Sequence, residues 1–324
     1  MPGCASCLTV QASRGDGSEM VHFVHGFYLF VCHADGMANE ERDADRLGPI
    51  LERFHIRARL FYQGPLCGVT TFAAHPGRGF LHVLRQGEMA VTHRDEAGAL
   101  HRIEVTEPSM LVYPRPLEHA FHNAPTEDSD FACATLEVPE GHDHPLLRAL
   151  PPVIVLPLTS VNRLQPALDL LFAEVDEGLS GDRLLIDRLF DVVLIQFFRW
   201  VVDHSSELQL PAGLIAGLSD PDLSRAVTAI HAHPSRPWTL EALAREARMA
   251  RSTFAERFAA VVGQPPADYV AEWRMLVAQE LLLRGDSVGQ VAQNVGYGTT
   301  PAFSRAFTRR IGVSPRDWAA SHVS

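Results

Sequence analysis

The residues best equipped for chemistry in this sequence are arginines, histidines and cysteines, and each type is unevenly spread. All 28 positive charges are arginine, set against 39 carboxylates for a formal net charge of -11. Residues 1–211 hold 16 arginines and 29 carboxylates, whereas residues 212–324 hold 12 and 10, so basic character is local in an acidic chain. Near the C-terminus Arg305, Arg309, Arg310 and Arg316 stand against Asp317 alone. A guanidinium fork matches a phosphate, or the O6/N7 edge of guanine. A uniformly basic nucleic-acid binder is therefore excluded and a local one is not, although charge alone equally describes a solvated face.

Histidine and cysteine suggest a second chemistry, metal or ligand binding, in the N-terminal half. His82 lies in a strand-like segment and His119 follows the Pro-rich stretch after Tyr113, and His93, His122 and Cys133 could add donors. Three or four ligands are the usual requirement, and no spacing here demands them. Cys4 and Cys7 form a CxxC that Cys32-His33 could complete, but a lone CxxC without a second ordered pair reads better as incidental. Five cysteines, with Cys67 and Cys133 the remaining two, lack framework spacing and fit a reducing, cytoplasmic compartment. The apolar run Val21 to Cys32 is too short to span a bilayer and follows Asp16 and Glu19, so neither a membrane span nor a signal peptide is read.

The elements that must position these groups fall into four stretches. Residues 1–36 read as a disordered upstream extension, with Met37 as the expected true start. Residues 37–140 open on a short amphipathic helix at Arg46–Phe54. They continue as strand-like runs at Arg59–Tyr62, Cys67–Phe72, Leu81–Arg85, Glu88–His93, Leu100–Val105, Met110–Tyr113 and Phe131–Val138, an all-β pattern. After Pro151-Pro152 the period changes from two to 3.6 and the β domain is expected to end. Within 141–211, Leu164, Leu168, Leu171 and Phe172 mark one helix. Leu185, Leu189, Val192, Val193, Gln196, Phe197 and Trp200 mark a longer one, from Asp182 to about His204, covered either by the β domain or by a second subunit. Ser205–Gly217 reads as linker, and 212–324 as an all-α domain.

That last domain repeats itself. Phe254-x3-Phe258-x4-Gly263-x2-Pro266-x-Asp268-Tyr269 returns 49 residues later as Phe303-x3-Phe307-x4-Gly312-x2-Pro315-x-Asp317-Trp318. Each copy follows a short helix, Leu240–Ala244 or Val288–Ala292, giving two helix-turn-helix units. Thr239 caps the first, Ser287-x-x-Gln290 is a capping box for the second, Gly296 supplies a left-handed turn, and Thr300-Pro301 reads as N-cap then N1. Pro266–Leu283 reads as one connecting helix ended by Gly285.

On these residues, 220–318 resemble the DNA-binding domain of the AraC/XylS family of bacterial transcription regulators. The likeness is carried by Pro237–Ala244, Phe254-Ala255-Glu256-Arg257-Phe258, Val291–Tyr297 and Phe303–Pro315. It implies two recognition helices in successive major grooves, about 34–36 Å apart. Carried over by position, Ser252, Ala255 and Glu256 would meet bases in the first unit, and Thr300, Ser304 and Arg305 in the second. Thr239, Arg251, Arg257, Arg309 and Arg310 would meet phosphates. Two departures fall in the first unit: Arg248 stands where the family has glycine, and Ala250 replaces the usual serine cap, so that unit is expected to be the less stable.

Residues 59–138 resemble the cupin barrel that many of these regulators carry. The second cupin motif appears as Pro108-x5-Pro114-x-Pro116-x2-His119-x3-Asn123, with proline at both glycine positions, and the first is reduced to His82. The expected whole is multidomain: a cupin-like β-barrel sensor, a helical dimerisation segment and a double helix-turn-helix domain. The resemblance implies a cytoplasmic, homodimeric regulator that is not an enzyme, with double-stranded DNA as partner and RNA polymerase as a further partner if it activates. A small-molecule effector would sit near His82, Tyr113 and His119, with no metal and no cofactor. The competing reading is a cupin metalloenzyme fused to a DNA-binding domain.

Overall fold

The computed structural model describes residues 45–54, 56–66, 68–95, 97–123, 129–137, 145–161 and 163–322, all inside one compact unit, Asp43–Ser324. The expected extension 1–36, with Cys4, Cys7, Cys32 and the Met37 start, lies outside the described residues, as does Cys67.

Helix α1 (Gly48–Arg53) leads into nine strands: β1 (Arg57–Gly64), β2 (Gly68–Phe72), β3 (Arg78–Gln86), β4 (Met89–Arg94), β5 (Leu100–Val105), β6 (Ser109–Tyr113), β7 (His119–Asn123), β8 (Asp130–Glu137) and, after the short helix α2 (Pro145–Arg148), β9 (Ile154–Pro157). They pair antiparallel in two sheets, of order β1-β8-β3-β6-β9 and β2-β7-β4-β5. The sheets are hydrogen-bonded separately among the described residues, so the cupin-like β domain is built of two facing sheets.

Two expectations are corrected here. The β domain does not end at Pro151-Pro152, because β9 pairs with β6, Met110 opposite Leu156. An unforeseen strand, β7, fills the centre of the smaller sheet.

Strands β3, β6 and β8 are covered on both faces, which is why they read as near-continuous apolar runs. One face sends Phe80, Leu84, Leu111, Tyr113, Phe131 and Cys133 between the sheets, and the other sends Leu81, Val83, Met110, Val112, Ala132 and Ala134 toward the helices. Those helices are α3 (Gln165–Glu177) and α4 (Asp182–Asp203). Helix α4 also closes the exposed edge of β1: the backbone N–H groups of Ala58 and Leu60 donate to Asp191 and Asp187 at 3.3 and 3.1 Å. The β domain thus covers Leu189, Val193 and Phe197 as anticipated, but Leu185 and Val192 turn outward. With Leu184 (66% exposed) and Ile195 they leave an apolar stripe on the solvent side of α4.

The presumed linker is shorter than expected, since α5 (Leu214–Ser219) buries Ile215 and Leu218. There follow α6 (Leu223–Ala232), α7 (Leu240–Glu246), α8 (Arg251–Val262), α9 (Pro266–Leu283), α10 (Val288–Asn294), α11 (Thr300–Ile311) and α12 (Pro315–His322). One apolar cluster runs from α1 and the outer face of the larger sheet through α4 and α5 into these helices. Across it Phe54 meets Trp273 edge-on at 5.3 Å, and Arg53 lies 3.6 Å from the buried carboxylate of Glu280.

Candidate nucleic-acid interface and buried histidine pair

The 49-residue repeat has a physical meaning at each position. Phe254 and Phe258, like Phe303 and Phe307, are fully buried one helical turn apart and fasten α8 and α11 to the domain. Gly263 and Gly312 end those helices with φ of 81° and 92°, the left-handed region in which glycine carries no Cβ penalty. Pro266 and Pro315 then open the next helix, where a missing N–H costs nothing. Tyr269 and Trp318 fold back to meet Phe258 and Phe307 edge-on at 5.6 and 6.1 Å. The 18-residue α9 joins the units over about 27 Å.

The turns differ. In the second unit Gly296 has φ 81° and lies so close to the carbonyl of Ser235 that a Cβ would clash. Its counterpart is Arg248, a non-glycine residue held at φ 54°. Thr239 accepts from the Ala242 N–H at 3.1 Å and caps α7, and the Ser287–Gln290 capping box opens α10. Helix α11 is capped by Thr299, which accepts from Ala302 N–H at 3.3 Å, one residue before the expected Thr300. Helix α8 starts at Ala250 with no side-chain cap, and Thr253 supplies none one turn later.

The proposed reading positions lie on the outward face of both helices. Ser252, Glu256, Thr300 and Arg305 are exposed, while Ala255 and Ser304 are half-buried. Arg251, Arg305 and Arg309 are exposed with no carboxylate partner among the described residues. Arg310 reaches Asp268 at 3.2 Å. Arg257 is different again: its guanidinium donates to Asp220 at 2.8 and 3.1 Å and to Asp222 at 3.2 Å.

In the β domain, His82 on β3 and His119 on β7 meet through Nε2 atoms 2.9 Å apart, both rings fully enclosed. His119 Nδ1–H donates to the Leu117 carbonyl at 2.9 Å, so its Nε2 carries the lone pair and accepts from His82 Nε2–H. That leaves His82 Nδ1 and the Tyr113 hydroxyl buried without a hydrogen-bond partner among the described residues, with the two ring centroids 6.2 Å apart. Tyr113 stacks on His119 at 3.8 Å, and Phe72, Phe80 and Phe121 wall the pair. Burial holds both imidazoles neutral, His82 well below its ordinary range, helped by His119, and His119 down to about 4. Burial also pushes the Tyr113 phenol and the Cys133 thiol upward. His93 stands opposite both His119 and His101 in register, whereas His122 turns to Thr92 at 2.8 Å. No group of three or more potential ligands able to hold a metal occurs among the described residues.

Two family models match: a cupin domain at residues 45–203 and a helix-turn-helix domain at 243–321. An AraC-like transcription regulator of Streptomyces lividans is 34% identical over 176 residues, 53% of this chain and 57% of that one. The HTH-type transcriptional regulator AlkR of Acinetobacter baylyi is 35% identical over 179 residues, 54% of this chain and 58% of that one. The chain carries a cupin domain followed by an AraC-type helix-turn-helix domain. It spans less than two thirds of the length of either relative. Among solved structures, ToxT of Vibrio cholerae covers 84% of this chain and 99% of its own at 13% identity and a TM-score of 0.36.

Within this AraC-type frame the structure brings His82, Tyr113 and His119 into one buried group and sets Ser252, Glu256, Thr300 and Arg305 on outward helix faces. Arg257, expected as a phosphate contact, is held instead in an ion pair with Asp220 and Asp222. Sequence reasoning also missed Asp220 and Asp222, whose partner lies 35 to 37 residues away and leaves no local signal. A described helix long and apolar enough to cross a membrane is absent.

Proposed function

We propose that this chain is a sequence-specific, DNA-binding transcription regulator and not an enzyme, acting in the cytoplasm as a homodimer. The observation that carries the reading is the pair of outward-facing helices, α8 and α11, on the two ends of one rigid connecting helix. Base reading falls to Ser252, Glu256, Thr300, Ser304 and Arg305, and phosphate contact to Thr239, Arg251, Arg309 and Arg310. The unpartnered His82 Nδ1 and Tyr113 hydroxyl support a small-molecule effector that hydrogen-bonds to them inside the cupin domain. The stripe Leu184, Leu185, Val192 and Ile195 on α4 supports a second copy of the chain as its cover. RNA polymerase is a further partner if the bound protein activates. Anisotropy with duplexes from upstream of the encoding gene tests the reading. Affinity should fall steeply with salt, by about 0.9 in log K per log salt for each phosphate contacted. Salt-insensitive or absent binding to every duplex contradicts it.

A further inference from the structure

The first recognition helix lacks the supports of the second. Helix α8 has no side-chain cap and follows a residue in left-handed backbone, whereas α11 has Thr299 and Gly296. Beside the buried Phe254 and Phe258, Arg257 adds a polar fastening at the middle of α8 that α11 lacks. Its Nε and Nη2 both donate to Asp220 Oδ2, at 3.1 and 2.8 Å, and Nη1 donates to Asp222 Oδ2 at 3.2 Å. Asp220 is itself fixed, its other oxygen accepting from the backbone N–H groups of Asp222 and Leu223 at 3.0 and 2.9 Å, at the head of α6. Its side chain is only 10% exposed. An exposed ion pair of single contact has little effect, but a forked guanidinium on an anchored carboxylate holds geometry.

The repeat shows which side of the helix this is. Forty-nine residues on, the position of Arg257 is held by Ala306, which is buried on the flank of the face that carries Phe303 and Phe307. A side chain there starts from the flank that faces the domain, away from the outward face that carries Ser252 and Glu256.

We propose that Arg257 is a positioning residue for base reading: through Asp220 and Asp222 it sets the angle at which Ser252 and Glu256 meet the bases, and it does not contact phosphate. The proposal rests on the DNA-reading function above. Full-length chain should first select duplexes from a random library, and affinities should then be measured over a range of salt for a selected duplex and its single-base variants. Arg257→Ala should keep the wild-type salt slope and its affinity for unselected duplex. It should lose about tenfold of the discrimination in the half of the site that Arg305→Ala leaves intact. Asp220→Asn, which keeps an oxygen to cap α6, should lose discrimination in the same half.

A salt slope lower by about one, with equal loss on every duplex, makes Arg257 a phosphate contact and overturns the proposal. So does unchanged discrimination in both variants, or an Asp220→Asn chain that binds all duplexes more tightly because Arg257 has been released. If Arg257→Ala fails to fold by circular dichroism, Arg257→Lys, which keeps the charge but loses the fork, takes its place with the same expected loss of discrimination. A wild-type chain that selects no sequence overturns the DNA-reading function and this proposal together.

Discussion

Arg305 and Arg310 lie on the same helix in different surroundings, and the proposed function gives them different work. Arg305 projects from the outward face of α11 without a carboxylate partner among the described residues, while Arg310 reaches back to Asp268 at 3.2 Å. Arg305→Ala should cost about 1–3 kcal/mol on a selected duplex and relax preference at one base pair. Arg310→Ala should weaken all duplexes equally and lower the salt slope by about one. Uniform loss from Arg305→Ala would make that arginine a backbone contact. A second prediction concerns acid. His82 and His119 are held neutral by burial, so their folded pKa values lie below the unfolded value near 6.5. A group depressed in the folded state makes its full contribution above the unfolded pKa and loses it as pH falls toward the folded one. The cupin domain should therefore lose stability as pH falls from about 6.5 toward about 4, and His119→Phe should flatten that dependence in urea unfolding. Identical pH profiles for the two chains would place the sensitivity elsewhere. His82 was legible on a strand and His119 only as part of a motif; that their Nε2 atoms meet was not, since the contact joins different sheets 37 residues apart.

At the scale of elements, the departures Arg248 and Ala250 were readable because cap and turn chemistry is local. The structure bears out both, with φ 54° at Arg248 and an uncapped start at Ala250. Ala250→Ser should stabilise the C-terminal domain by about 1 kcal/mol through a restored cap. Arg248→Gly should contribute roughly another 1 kcal/mol by removing the left-handed penalty. Denaturant unfolding checks both, and a destabilised Ala250→Ser chain would mean that its hydroxyl meets no amide. Elements whose pairing decides them were harder to read. Strand β9 is flanked by Pro152 and closed by Pro157, which argues against a strand until its place at the sheet edge is known, where proline is tolerated. Strand β7 is short and has histidine at both ends of its Ala-Phe core, so no apolar alternation announces it. Helix α4 is apolar on most sides, and the sheet beneath it, not its own period, chooses Val193 over Val192 for burial.

In the whole molecule the cupin and helix-turn-helix domains are joined by packing as well as by chain. Phe54 is buried against Trp273 of the connecting helix, and Arg53 and Arg284 flank the enclosed carboxylate of Glu280. Beneath Trp273, His231 stacks at 3.9 Å and hydrogen-bonds to Tyr269 at 2.7 Å, kept neutral, down to about 3, by burial and by Arg53. Phe54→Ala should cost about 3–5 kcal/mol, as large-to-small core changes do, and split the urea transition of the full chain into two. A single transition shifted by less than 1 kcal/mol would mean that α1 does not couple the domains. The central claim is that two recognition helices on one connecting helix read successive turns of DNA. Sequencing the duplexes that the full-length chain selects from a random library tests it most directly. Two short conserved clusters centred about 10–10.5 base pairs apart are expected for each subunit bound. A single cluster, or no enrichment at all, would contradict it.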